Sequence, residues 1–156
     1  MNFTELTNNI RALIDTYAPK GTEFKWDNAK SRLGSCTYRY SKYIGYYDFK
    51  ITISFPLATI NDWETVRNTV IHEIAHARTP SHGHDAVWRR ECIRLGGDGE
   101  RLADGNKINT VPMKFIGVCP KCGGKCFRNR RTNGYHCDRT QPIVWKVNPK
   151  FLAYSA

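Results

Sequence analysis

The stretch VIHEIAHARTPSHGHDAVW, residues 70–88, constrains this chain more than any other. It holds four of the five histidines, two of them four residues apart with a glutamate close by. The segment NDWETVRNTVIHEIAHA reads as one helix, with Asn61 as the expected N-cap and Glu64 completing a capping box. On a wheel of about 100° per residue, Trp63, Val66, Val70, Ile71, Ile74 and Ala75 fill one broad arc that must pack on a core. His72 and His76 fall together outside that arc, about 40° apart. Two imidazoles on neighbouring turns grip one metal ion from one side. Glu73 stands at the edge of the arc, placed to act as a base toward a metal-bound water rather than as a third ligand.

A catalytic zinc site takes three protein ligands and keeps one position open. The third ligand is expected from His82 or His84, because Pro80 and Gly83 turn the chain and let either swing back. His84 has the stronger claim. A second helix is expected from about Asp85 to Leu95, stopped by Gly96-Gly97. Trp88, Cys92 and Leu95 are spaced to pack that helix, which fixes where His84 points.

Upstream, Phe3, Leu6, Ile10, Leu13 and Ile14 lie at helical spacing over residues 3–17, ended by APKG. TEFKWDN, GSCTYRY and DFKITISF then read as three strands of an antiparallel sheet, with Ile51, Ile53 and Phe55 on one face. Cys36 and Cys92 are isolated and read as small buried hydrophobes. Residues 104–114 read as a linker. No apolar run approaches the length of a membrane span, and the N-terminus has no signal-peptide pattern, so a soluble intracellular monomer is expected.

HEIAH, a short turn and then HDAVW resemble the SprT-like (Spartan-type) zinc metalloproteases. Their pattern is HExxH followed by a histidine with an aromatic residue four positions on. That register selects His84 with Trp88; from His82 the same offset reaches Ala86. Asp85 departs from the glycine usual at that place. FKWDNAKSRLGSC and ITISFPLA resemble the family's strand segments upstream of the metal helix. The resemblance implies an α+β, zincin-like domain over residues 1–104: N-terminal helix, small sheet, HExxH helix and following helix. It implies a catalytic zinc on His72, His76 and His84, with Glu73 as catalytic base for peptide hydrolysis. It also implies a substrate class, proteins associated with DNA.

Residues 105–156 form a separate, basic module, expected to be zinc-ribbon-like. They carry 10 basic and 1 acidic residue, whereas residues 61–104 carry 6 and 8. Cys119-Pro-Lys-Cys122-Gly is the turn of a zinc knuckle, and Cys137 follows the hairpin signal Asn133-Gly134. The fourth ligand of this structural zinc is Cys126 or His136. SprT-like proteins often end in a second C-x-x-C, but here Thr140 stands at the matching position. Lys125, Phe127, Arg128, Arg130 and Arg131, with Tyr135 nearby, combine positive charge with aromatic rings, as a nucleic-acid surface does. Two other readings remain: a nucleic-acid-binding zinc protein with a structural or inactive zincin domain, and an enzyme for a different amide substrate. An intact Glu73 argues against the first, since a structural site has no use for a base beside the metal.

Overall fold

A computed structural model describes residues 1–101, 108–134, 136–137 and 141–155. The chain divides into two compact units, Met1–Thr110 and Val111–Ala156. The boundary expected at 104/105 falls among residues 102–107, outside those described.

The first unit opens with helix α1 (Phe3–Tyr17), capped by the Asn2 side chain, which accepts the Glu5 N–H. Leu6, Ile10 and Ile14 turn inward at the expected spacing. Phe3 is instead 54 % exposed, its ring packed on those of Trp26 and Phe55. Three strands follow: β1 (Glu23–Asp27), β2 (Gly34–Ser41) and β3 (Gly45–Ser54), in the order β1-β3-β2.

The sheet is mixed, not antiparallel throughout. β2 and β3 form a hairpin and pair antiparallel, but β1 pairs with β3 in parallel. The cause lies in residues 28–33, which carry the chain across the end of β3 to its far side. Ser54, the last residue of β3, holds that crossing: its N–H donates to Leu33 O and its hydroxyl to Ala29 O. Asp27 assists, accepting from Ala29 N, Thr52 Oγ1 and Arg32. Ile51 and Ile53 enter the core, but Phe55 does not continue their face. Ser54 caps a short helix α2 (Phe55–Ala58), and proline in its first turn fits that start.

Helix α3 (Trp63–Arg78) buries Val66, Val70, Ile71, Ile74, Ala75 and Ala77. Its N-cap is Asp62, one residue later than expected; Asp62 accepts the Thr65 N–H. Asn61 has other work: its amide donates to Leu57 O and Asn109 O and accepts from Asn109 N, which ties residue 109 into this unit. Helix α4 (Ala86–Arg94) begins at Asp85 and ends at Leu95, with Gly96 at φ +86°. Cys92 is buried in the core and Cys36 is partly buried.

In the second unit, β4 (Phe115–Val118), β5 (Lys125–Arg128) and β6 (Val144–Val147) make an antiparallel sheet ordered β5-β4-β6, followed by α5 (Pro149–Ser155). Buried Asn148 joins β6 to the segment before β4, donating to Met113 O and Lys114 O. A Cβ at Gly117 would stand 2.5 Å from Ile143, so only glycine fits under that side chain. Among the described residues no helix is long and apolar enough to cross a membrane.

Helices α3 and α4 are also joined by charge. Glu91 accepts from Arg78 and Arg94, and Arg78 reaches on to Tyr17 O. The Arg94 and Arg78 guanidiniums hold the Glu91 carboxyl down at about 2. A carboxylate with a depressed folded pKa stabilises above its unfolded pKa, and that stability is lost as the pH falls through the folded value. Glu91→Gln is therefore expected to lower stability by about 1 kcal/mol at neutral pH. In urea melts the gap to wild type should close between the unfolded carboxylate pKa of about 4.3 and the folded value of about 2. A gap independent of pH would contradict this role.

Candidate metal centre

α3 places His72 and His76 one turn apart on its side away from the buried stripe. After Arg78 the helix stops at Thr79-Pro80, and Ser81 at φ +69° reverses the chain. Asp85 then does two things at once. Its Oδ1 accepts the Val87 and Trp88 N–H groups at 2.9 and 3.0 Å, starting α4. Its Oδ2 lies 2.7 Å from His82 Nδ1. His82 is thus drawn to Asp85, and His84 is left to turn inward.

The three Nε2 atoms converge. His72 and His76 are 3.3 Å apart, His76 and His84 3.1 Å, and His84 and His72 3.0 Å. Two nitrogens each about 2.0–2.1 Å from a tetrahedral zinc stand about 3.3–3.4 Å apart. The observed triangle is close to that size, and three nitrogen donors suit zinc. Burial, then the neighbouring histidines, push His72 down to about 4; burial, then His84, does the same for His76. Burial, then Arg101, lowers His84. All three are therefore neutral at pH 7, with lone pairs available to a cation.

Trp88, 1 % exposed, backs the whole triangle. Its ring centroid lies 4.6 Å from His72, 5.2 Å from His76 and 4.6 Å from His84. Asp85, the N-cap of α4, and Trp88 in its first turn thus place the His84 ring beside those of His72 and His76.

Glu73 is 7 % exposed and lines the same cavity, of about 720 Å³, as the three histidines. Burial raises its carboxyl to about 7, against the opposing charge of Arg32. Sequence reasoning missed Gly34 of β2: a Cβ there would stand 2.9 Å from Glu73 Cγ and 3.0 Å from its Oε1. The glycine leaves the space in which the carboxylate lies. No local pattern marks it, because the contact spans the fold.

A second cluster lies in the second unit. Donor atoms of Cys119, Cys122, His136 and Cys137 all lie within 4.8 Å of one another. Cys119 and Cys137 sulfurs are 3.5 Å apart, and Cys122 Sγ is 3.4 Å from His136 Nδ1. Tetrahedral zinc places such pairs at about 3.8 and about 3.6 Å. Backbone N–H groups, that of Cys122 foremost, draw the Cys119 thiol down to about 6, toward the thiolate that binds metal. Of the two expected fourth ligands the structure brings His136 in. Residues 136–137 form a bend, which lets these two neighbours turn their donor atoms toward one point. Cys126 lies on β5, paired with Gly117 and packed over it, outside the cluster.

The basic residues are dispersed. Alternation along β5 puts Lys125 and Phe127 on one face and Arg128 on the other. Arg131 lies with its guanidinium 4.8 Å from the Phe115 ring, and Phe115 pairs with Arg128. Phe127 is 47 % exposed and Arg130 is exposed. Tyr135 and Thr140 lie outside the described residues.

Fold and site together define a mixed α+β protein with a tri-histidine centre beside a buried glutamate. Residues 4–110 match the SprT-like family, well over half the chain, and the chain belongs to that family. No curated protein matches it.

His84→Ala should lower bound zinc by about one equivalent per chain, whereas His82→Ala should cost about tenfold in affinity or less. Metal analysis after dialysis distinguishes them, and the reverse result reassigns the ligand. Because burial lowers all three histidines, zinc should stay bound as the pH falls just below the ordinary histidine value of about 6.5 and leave at lower pH.

Proposed function

We propose that this chain is a zinc-dependent metallopeptidase with a zincin arrangement in its first unit, acting as an intracellular monomer on proteins associated with DNA. The observation that carries the reading is the convergence of three neutral histidine nitrogens on one point, in the cavity that also holds Glu73. His72, His76 and His84 would hold the zinc. Zinc supplies Lewis acidity there, acidifying a water molecule and polarising a peptide carbonyl. Glu73 takes a proton from the attacking water and delivers it to the leaving amine. Burial raises this carboxyl above the usual carboxylate range, which suits a group that must both take and give a proton. Trp88 keeps the imidazoles oriented. Membership of the SprT-like family supports a metallopeptidase-like role.

In the second unit, Cys119, Cys122, His136 and Cys137 would hold a structural zinc, and Lys125, Phe127, Arg128, Arg130 and Arg131 would contact DNA. The charge of residues 105–156 supports that partner, with 10 basic side chains against 1 acidic. The dispersal over two sheet faces fits wrapping by a single strand better than docking on a flat duplex face.

Glu73→Gln should retain zinc and lose about 10²–10⁴-fold in kcat on an unstructured protein substrate. Full activity in that variant would contradict the mechanism. Replacing Arg128, Arg130 and Arg131 together in the full chain should flatten the salt dependence of DNA binding by about two to three units. An unchanged slope would leave these arginines as a solvated surface.

A further inference from the structure

Tyr38 is the tyrosine that lines the cavity with His72, Glu73, His76 and His84 among the described residues. Its ring is set by two neighbours, Tyr46 edge-on at 5.4 Å and Phe49 at 5.8 Å. Its hydroxyl oxygen accepts the backbone N–H of Ser81 at 2.8 Å. Ser81 holds the left-handed backbone of the turn that leads to His84. The hydroxyl is thus fixed at the mouth of the histidine loop, on the β2 side of the cavity.

That bond occupies an oxygen lone pair and leaves the phenolic proton unspent. Among the described residues the proton has no acceptor. An N–H donating to the oxygen polarises the O–H and strengthens it as a donor. Peptide hydrolysis needs such a donor where the carbonyl oxygen gathers negative charge, and a donor already fixed in place costs no reorganisation. Glu73 cannot serve, since it handles the proton of the attacking water.

We propose that Tyr38 donates a hydrogen bond to the carbonyl oxygen of the scissile peptide as that oxygen becomes anionic. The hydroxyl keeps its proton throughout; no bond to the substrate forms. The assignment rests on the metallopeptidase reading above and adds a second catalytic residue to it. It also gives the Ser81 contact a purpose: one hydroxyl clasps the loop of the third histidine and faces the reacting carbonyl.

Tyr38→Phe keeps the ring between Tyr46 and Phe49 and removes only the hydroxyl. Zinc content, steady-state peptide hydrolysis and binding of a phosphinic peptide, whose tetrahedral oxyanion mimics the developing charge, are compared in the zinc-loaded full chain. The expected result is unchanged zinc, a fall of about 10²–10³-fold in kcat and a comparable loss of phosphinic-peptide affinity. KM should stay within about threefold of wild type. Retention of both kcat and phosphinic-peptide affinity within about threefold would overturn the assignment. So would loss of zinc with activity restored by excess zinc, which would make the hydroxyl a fastener of the Ser81 loop alone. A wild-type chain that cleaves no peptide would instead sink the metallopeptidase reading itself.

Discussion

The packing of one indole against three imidazoles is the contact on which the first unit's site depends. Trp88 belongs to the hydrophobic core, among Ile71, Ile74 and Cys92, yet its ring touches His72, His76 and His84. Truncating a buried tryptophan costs about 3–5 kcal/mol, so the geometry of the histidines is held by a sizeable part of a small domain's stability. α3 supplies two of the three histidines by its own periodicity. The third arrives only because α4 starts at Asp85 and turns Trp88 under the triangle.

One physical cause shifts the titrating groups of the cavity in opposite directions. Burial raises Glu73 to about 7 and pushes His72 and His76 down to about 4, in each case away from the charged form. The result at neutral pH is three uncharged imidazoles beside a partly ionised Glu73 in a partly desolvated pocket. Such a pocket offers lone pairs to a cation with little proton competition. Gly34 belongs to the same device, since any side chain there would displace the glutamate.

Features that rest on local pattern were legible in the sequence. The arc of α3, the extent of α4 from Asp85 to Leu95 and the choice of His84 through Trp88 all lie within a few turns of chain. Features set by distant contacts were not. Asn61 and Asp62 are equally good caps by type, and what separates them is Asn109, 48 residues away. The direction of β1 is decided by the crossing loop that Ser54 pins, about which strand alternation is silent. The fourth member of the cysteine cluster is His136 because that segment bends, which its composition does not announce. The division of Lys125 and Phe127 from Arg128 is different: strand periodicity alone would have revealed it.

A zinc ion held by three histidines is the centre of the proposed chemistry. Anomalous scattering at the zinc edge, from crystals of the full chain grown with zinc, reads this directly. A peak about 2.0–2.1 Å from Nε2 of His72, His76 and His84, with Glu73 outside the ligand shell, is the predicted result. No peak within that triangle, or a metal bound through His82 in place of His84, would contradict it.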